Sequence, residues 1–443
     1  MKYLIFVISL LMYFFAPNKY DYTFCLIVLI IFLINVGQLL TIQINKNGIG
    51  LFSFSLLFSI SFLFVNFIYP VIVYPIDKGY FPVFDRFYFN ENLISKTSAL
   101  ALVGFNSFVL GFLLVKRKVI NNIKEFKVSN IYNFIYYVCL IFSAILILYV
   151  FLSGLSGVIA RKTDTYQEFN QTILLIVQCL INITIVLNFL LRKPIFNLLM
   201  VFIFAGIFVY IGDRGPAIQT VLVMLFSYSI LIRKFTKKQI ILLITGGFII
   251  LTIASSLRSR DGGSLDLSKV RIENSFDFAM DLIVNNRNLY AGYEYALMNG
   301  LSYGKSSIYY IFSPIPFLPS FITQNLFGAM PQELSSSTIL TKDVDAGYGL
   351  GTNLISDLYM QFALPGVLIF MFLLGLIISK LESRVLSSFN SLLIYITIAS
   401  FSVYMARSSM FDSVRYIAWS FMIFYIIYYF IYPHVQKKII ISK

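Results

Sequence analysis

Twelve apolar runs, none of which contains Lys, Arg, Asp, Glu or His, constrain this chain more than any other feature. A run of about 20 uncharged residues is long enough to cross a bilayer as a helix, which keeps its backbone polar groups bonded inside lipid. Only 12% of the 443 residues are charged, whereas soluble proteins carry about 25%. The runs lie near residues 3–16, 22–42, 51–75, 97–115, 131–152, 172–191, 195–211, 217–232, 239–256, 358–379, 391–406 and 416–432. The sequence therefore predicts an all-α integral membrane protein with about 12 transmembrane helices in a single polytopic domain, 1–443.

The distribution of charge predicts the orientation of these spans. If both termini are cytoplasmic, the inner segments hold 18 basic and two acidic residues, and the outer segments hold 16 basic and 18 acidic residues. The positive-inside rule requires this kind of asymmetry. We therefore expect a multi-pass protein with both termini in the cytoplasm. The net charge of +14 then reflects anchoring beside membrane lipid and does not indicate a nucleic-acid partner.

One predicted connection, residues 257–357, is far longer than the others and falls on the outer side, between spans 9 and 10. Loops of this length are usually functional or separately folded. Apolar residues at helical spacing from Ile272 to Val284 predict an amphipathic helix at the membrane interface. Three prolines in FSPIPFLPSF, residues 312–321, predict no regular helix there.

The sequence indicates neither a metal nor a cofactor. The three cysteines lie inside apolar runs without the spacing of metal ligands. Asp343-Val344-Asp345 matches the D-x-D pattern with which many nucleotide-sugar glycosyltransferases hold a metal. Three residues carry little information, and a solvated loop is the favoured interpretation.

Arginines cluster at the predicted outer ends of the spans. A guanidinium group offers a planar fork of donors that suits phosphate oxygens and stays charged when partly desolvated. A ring of such groups at headgroup depth would suit a lipid-linked diphosphate. The alternative is that they anchor the spans and pair with nearby acids, as Arg214 could with Asp213 and Arg415 with Asp412. The arginines near span ends are Arg214, Arg258, Arg260, Arg407 and Arg415.

Asp357 lies where a glycine-rich segment enters the tenth predicted span. Partial desolvation there would favour a carboxylate that acts as a general base. The alternative is an acid at a helix N-terminus that the helix dipole favours. Weaker candidates for the base are Asp261, Asp277, Asp281 and Glu294.

Three segments carry a resemblance to a known family. GDRG at 212–215 ends one span, YGKSSIYYIFSPIPFLPS at 303–320 lies in the long outer loop, and GLGTNLISDLYMQFALPG at 349–366 leads into a span. In this order they resemble the bacterial O-antigen and oligosaccharide repeat-unit polymerases, the Wzy-type family. The chain departs from the family pattern in two places: Asp357 stands where glutamate is commoner, and no arginine follows the Pro-x-Pro segment closely.

The resemblance implies a fold similar to polyprenyl-phosphate-sugar glycosyltransferases, at the outer face of the bacterial inner (cytoplasmic) membrane. Its substrates would be glycans linked to undecaprenyl diphosphate, joined into O-antigen or capsular-type polysaccharide. A chain-length regulator and a flippase of the same pathway are the implied protein partners. We expect Asp357, Arg214 and Arg258 to be catalytic. The residues expected to bind the diphosphate are Arg260, Arg287, Arg407 and Arg415.

Three other functions stay open at this point. An O-antigen ligase would share the donor and the membrane side, but ligases generally use an outer-loop histidine, and the single histidine, His434, falls in the predicted cytoplasmic tail. A lipid-linked oligosaccharide flippase usually has short outer loops and charges within the helical bundle, and this chain has neither. A structural membrane subunit is the third alternative.

Overall fold

The computed structural model describes the chain in ten segments. These are residues 2–46, 49–76, 78, 89–115, 130–158, 171–211, 214–256, 279–315, 317–345 and 349–433. All regular secondary structure in these segments is helical. The predicted all-α class is therefore confirmed.

Eighteen α-helices follow one another along the described chain. They are α1 Lys2–Phe14, α2 Tyr22–Lys46, α3 Phe54–Asn66, α4 Tyr74–Ile76, α5 Ile94–Leu114, α6 Asn130–Val158, α7 Gln171–Leu190, α8 Leu199–Ile211, α9 Arg214–Leu231, α10 Lys237–Ser256, α11 Met280–Ile283, α12 Asn286–Asn299, α13 Lys305–Phe312, α14 Leu318–Phe327, α15 Ser336–Asp343, α16 Leu354–Arg384, α17 Phe389–Ser400 and α18 Asp412–Ile426. Every predicted apolar run coincides with a helix over most of its length.

Six stretches of the described residues are long and apolar enough to cross a membrane, or seven if a bent pair counts as one span. The bent pair is Phe54–Asn66 with Tyr69–Ile76, which meet at 43°. The six are Tyr22–Gln43, Glu91–Leu114, Asn130–Tyr149, Ile173–Leu190, Leu354–Arg384 and Asp412–Ile431. A multi-pass membrane protein is confirmed. The count of 12 stays a prediction, because several apolar helices, such as Phe389–Ser400, are shorter than a bilayer requires.

The chain forms two compact units. The first comprises Met1–Asn121, Glu273–Arg384 and Ser402–Val414, and the second Asn122–Ile272, Val385–Phe401 and Arg415–Lys443. This division follows packing within the chain and does not test the predicted single membrane domain. Asp357 belongs to the first unit.

In the first unit, α5 and α16 cross at backbone contact. A Cβ atom on Gly111 would lie 2.0 Å from the carbonyl oxygen of Phe372, and one on Gly375 would lie 2.0 Å from the carbonyl oxygen of Phe108. Small residues permit such close approach, which favours helix association in lipid. These two glycines therefore fix α16 against α5.

A break divides α16 near its first third. Ala363 has φ 54° and ψ −154°, and Pro365 follows within the same helix. Proline lacks the N–H that would continue the hydrogen-bond ladder, so helices commonly kink beside it. Just before the break, the carbonyl of Met360 accepts a hydrogen bond of 2.8 Å from the backbone N–H of Ser302. The segment before the kink, which carries Asp357, is thereby tied to the chain before α13.

In the second unit, buried polar side chains link the helices. Gln178 Nε2 on α7 donates to Gln219 Oε1 on α9 at 2.7 Å. The hydroxyl of Tyr136 on α6 donates to Asn188 Oδ1 on α7 at 3.0 Å. Polar pairs of this kind associate helices in an apolar bundle.

The predictions for the long loop are partly corrected. No regular helix was expected in 312–321, but α14 begins at Leu318 with Pro319 in its first turn. Proline is favoured there because the first turn needs no N–H donor. The amphipathic helix expected from Ile272 to Val284 is described only from 279 onward, where α11 spans four residues. Residues 257–278 lie outside the described residues.

Candidate active site

Asp357 lies in the first turn of α16, and its side chain is completely buried. Its Oδ1 atom accepts hydrogen bonds from Gln361 Nε2 at 3.1 Å and from Ser306 Oγ at 3.4 Å. Its Oδ2 atom is buried and accepts no hydrogen bond from the described residues. The hydroxyl groups of Ser336 and Ser409 lie close to the carboxyl group without reaching hydrogen-bond geometry. One oxygen of the carboxylate is thus held, and the other is left for a further donor.

A neighbouring asparagine caps the helix that carries Asp357. Asn353 Oδ1 accepts hydrogen bonds from the backbone N–H groups of Ile355 at 2.9 Å and Ser356 at 3.4 Å. Asn353 Nδ2 donates to Asn66 Oδ1 at 3.0 Å, which ties the helix start to α3. Because the Asn353 side chain accepts from two of the free backbone donors at the helix start, Asn353 and not Asp357 is the capping residue of α16. Its carboxylate meets side chains instead.

Two of the three sequence segments that carried the family resemblance meet at this carboxylate. Ser307, in the segment 303–320, donates to Gln361 Oε1 through its backbone N–H at 3.1 Å and through its hydroxyl at 2.6 Å. Since the Gln361 carbonyl faces two donors, its amide NH₂ group is directed at Asp357. The neighbouring Ser306 reaches Asp357 directly. The Pro-x-Pro segment and the glycine-rich segment therefore form one polar cluster.

A second carboxylate, Asp412 at the start of α18, belongs to the same neighbourhood. The hydroxyl of Tyr310 on α13 faces Asp412. Burial, together with the negative charges of Asp412 and Asp357, raises the pKa of the Tyr310 hydroxyl. Tyr310 therefore stays protonated and can donate a hydrogen bond to a carboxylate.

The sequence interpretation considered Asp412 only as an ion-pair partner of Arg415. The available signal was the run Ser-Ser-Met-Phe-Asp at 408–412, which the predicted topology places between two spans on the outer side. Gln361 and Ser306 were not singled out either, since neither is charged.

Two of the predicted diphosphate ligands belong to the first unit. Arg287 on α12 is only 1% exposed, and its Nε atom donates to the carbonyl of Val284 at 3.3 Å. Arg407 is half-buried at the end of the 3₁₀ helix Met405–Arg407, with its guanidinium carbon 5.6 Å from the centre of the Tyr404 ring. Arg407 precedes Ser409 by two residues, so it shares a chain segment with the carboxylate cluster.

The other predicted arginines belong to the second unit or fall outside the described residues. Arg214 is the first residue of α9, and its side chain is outside the described part of the chain. Arg258 and Arg260 lie outside the described residues altogether. Arg415 is half-buried on α18. A shared diphosphate site for these residues stays a prediction.

The remaining candidate acids divide in the same way. Asp261 and Asp277 lie outside the described residues, and of Asp281 only the backbone is described. Glu294 lines a surface cavity of about 210 Å³ together with Asp343, the first aspartate of the D-x-D sequence. Asp343 is exposed. Two of the candidate bases have side chains that are described, Asp357 and Glu294, and Asp357 is the more buried of the two.

The fold and this cluster define a helical multi-pass membrane protein that holds a buried carboxylate at the start of a spanning helix. A family model described as O-antigen polysaccharide polymerase Wzy matches residues 1–438, essentially the whole chain. The chain belongs to the Wzy family and polymerises O-antigen repeat units. The resemblance seen in the sequence is confirmed, and the ligase and flippase alternatives are not favoured. Neither the curated proteins nor the solved structures include a significant match.

Proposed function

We propose that this polymerase transfers glycans carried on undecaprenyl diphosphate, at the outer face of the bacterial inner membrane, with Asp357 as the general base. The observation that carries the proposal is the asymmetry of the Asp357 carboxylate. Oδ1 is held by Gln361 and Ser306, whereas the buried Oδ2 accepts no hydrogen bond from the described residues. A buried acceptor without a donor is costly, and a substrate hydroxyl would supply that donor.

The reaction begins when the acceptor sugar hydroxyl donates its hydrogen bond to Asp357 Oδ2. The hydroxyl oxygen attacks the anomeric carbon of the donor glycan and forms a new glycosidic bond. The bond from that carbon to the diphosphate oxygen breaks, and its electron pair leaves with the lipid diphosphate. The hydroxyl proton passes to Asp357.

The residues around Asp357 orient it for this role. The Gln361 amide and the Ser306 hydroxyl hold Oδ1, so Oδ2 keeps one direction during proton transfer. Groups that are fixed before the reaction need no reorganisation when charge develops. Tyr310 and Asp412 lie near Asp357. The Tyr310 hydroxyl can donate a hydrogen bond to a second sugar hydroxyl, and the Asp412 carboxylate can accept one from it.

Arginines would stabilise the leaving diphosphate. Negative charge grows on it during the reaction, so fixed guanidinium groups stabilise the transition state more than the ground state. Each charge-assisted hydrogen bond contributes about 1.5–3 kcal/mol. In this proposal Arg214 and Arg258 act in catalysis. The proposed diphosphate ligands are Arg260, Arg287, Arg407 and Arg415.

The proposed topology has twelve spans, with both termini cytoplasmic and residues 257–357 outside. The excess of basic over acidic residues in the inner segments, 18 against two, supports it. A polymerase on the outer side would receive repeat units from a flippase. A separate chain-length regulator would set the number of units joined.

The test replaces Asp357 with Asn in a strain that depends on this gene for its polysaccharide. Asparagine keeps the shape and an acceptor oxygen but cannot take a proton. We expect the glycan ladder to collapse to single repeat units while the protein remains in the membrane at its normal level. Asp357→Glu should restore part of the ladder, and Asp343→Asn, at an exposed aspartate, should leave it intact. A full-length ladder from Asp357→Asn would refute the role of Asp357.

A further inference from the structure

The segment 303–330 exposes a series of large apolar side chains. Phe317 is 88% exposed and Tyr303 is 76% exposed, and between and beyond them lie other exposed apolar residues. These are Ile311, Phe312, Ile315, Phe321, Leu326 and Met330. Large exposed apolar patches mark sites of interaction with another molecule or with a membrane.

The composition of the same segment favours lipid as the occupant. Lys305 is the one charged residue in the 28 residues from 303 to 330. Its ammonium group lies 5.3 Å from the centre of the Phe327 ring. Exposed phenylalanines flanked by tyrosines and a lysine are typical of membrane interfaces, where long basic side chains extend their charge towards the headgroups. A surface that binds a soluble protein partner would carry a polar rim of mixed charge.

Two of the exposed aromatic residues are held in a conformation that bulky side chains rarely adopt. Tyr303 has φ 46° and Phe317 has φ 66°, both in the left-handed region. Tyr303 stands two residues before the start of α13, and Phe317 stands immediately before α14. A strained backbone persists only where the surrounding structure imposes it, and such strain collects at functional positions.

Around Tyr303, the neighbouring structure is α16. The backbone N–H of Ser302 donates to the carbonyl of Met360, and a Cβ atom on Gly304 would lie 3.0 Å from the Phe362 ring. The apolar segment is therefore fastened beside the kink of the candidate span Leu354–Arg384. Beyond the kink, α16 presents an exposed apolar stripe that continues the same kind of surface. The stripe consists of Ile369, Leu373 and Ile377, four residues apart.

We propose that α13, α14 and the turn between them insert their exposed aromatic side chains into the acyl region of the bilayer, in the leaflet where α16 begins. That leaflet is the outer one if the proposed topology holds, but the insertion itself does not depend on which side it is. Because Ser306 and Ser307 on α13 bond Asp357 and Gln361, the inserted segment would hold the carboxylate cluster at the depth of the lipid headgroups. A lipid-linked diphosphate presents its reacting carbon at that depth.

Tryptophan fluorescence tests the insertion, because the chain has a single tryptophan. In a Trp419→Phe background, new tryptophans are placed by Phe317→Trp and Phe321→Trp. A reference inside the candidate span is Ile369→Trp, and a reference in water is Asp343→Trp. Each purified full-length variant is reconstituted into phosphatidylcholine vesicles with brominated acyl chains, which quench only nearby tryptophans.

We expect the tryptophans at 317 and 321 to lose as large a fraction of their emission to bromine as the one at 369, and to resist quenching by iodide. The tryptophan at 343 should behave in the opposite way. If iodide quenched the tryptophans at 317 and 321 and bromolipid did not, the segment would lie in water and the proposal would be refuted. Protection from both quenchers that disappears on dilution to one copy per vesicle would assign the surface to a second copy of the chain, and would refute it equally.

A functional measurement separates this proposal from the proposed chemistry. Phe317→Ser with Phe321→Ser should shorten the glycan ladder in cells and abolish the protection from iodide of a tryptophan placed at Ile315. Asp357→Asn should abolish the ladder and leave the bromolipid quenching at 317 unchanged. In the double serine variant, loss of bromolipid quenching with an intact ladder would refute the role of the inserted segment in holding the carboxylate cluster and would leave the proposed role of Asp357 untouched.

Discussion

Replacement of Gln361 by Leu is the sharpest test of how the carboxylate is held. The substitution removes the amide donor that lies 3.1 Å from Asp357 Oδ1. It leaves the Ser306 hydroxyl, at 3.4 Å, as the remaining donor of hydrogen-bond length to that oxygen among the described residues. A hydrogen bond to a charged group contributes about 1.5–3 kcal/mol. If that contribution is made in the transition state, kcat/KM should fall about 10- to 150-fold.

The ranking of related variants follows from the same distances. Ser306→Ala removes the longer and weaker of the two bonds, so it should reduce kcat/KM less than Gln361→Leu does. Ser307→Ala removes the hydroxyl that lies 2.6 Å from Gln361 Oε1 but leaves the backbone donor at 3.1 Å. It should therefore have the smallest effect of the three. The matched control is Gln332→Leu at an exposed glutamine, which should leave the rate unchanged.

The assay is polymerisation by the purified protein in vesicles, with synthetic lipid-linked repeat units as substrate and rates measured over a range of acceptor concentrations. Thermal unfolding of each variant is measured in parallel, because Gln361→Leu also leaves the buried Ser307 donors without an acceptor, at about 1–3 kcal/mol each. A variant of Gln361 that is as stable and as fast as the wild type would refute the reasoning.

Three further predictions concern the scaffold and the arginines. Gly111→Ala places a Cβ atom 2.0 Å from the Phe372 carbonyl oxygen, so it should destabilise the α5–α16 pair by about 1–3 kcal/mol; thermal unfolding in detergent checks this. Gly37→Ala, inside α2 with no atom within 4 Å, is the matched control, because it shows the gain of up to about 1 kcal/mol from helix propensity without the clash. Asn353→Ala should cost about 0.5–2 kcal/mol through the lost cap. Asn353→Asp keeps the capping acceptor but places a buried carboxylate against Asn66 Oδ1, so it should not restore the stability in the same measurement. Arg214→Lys should abolish long chains in the glycan ladder despite its retained charge, because lysine cannot form the planar bidentate contact; full-length polymer from this variant would reduce Arg214 to a membrane anchor.

The sequence predicted local structure well and the site only in part. Apolar runs predicted helices correctly, since burial of backbone groups in lipid leaves few alternatives. Asp357 was identified because it is charged and stands at a span boundary. Asp412, 55 residues later, could not be assigned to the same cluster, because its position depends on how distant segments pack. Gln361 carries no charge, and its role follows from contact with Ser307 on another helix.

One wrong prediction has a local cause. Pro319 was expected to exclude a helix, whereas its position in the first turn of α14 makes it compatible with one. The predicted diphosphate ligands stay predictions, because side chains from several distant segments would have to converge, and sequence spacing carries no information on such convergence.

The hydrogen bond from the backbone N–H of Ser302 to the carbonyl of Met360 closes residues 302–360 into a loop whose two ends are held together. Because the entropic cost of closing a loop grows only slowly with its length, residues can be added within the loop without displacing either end. The exposed turn at Asp345, which follows α15, is a natural place for such additions. Residues inserted at this turn should therefore leave Asp357, Gln361 and their serine partners in register.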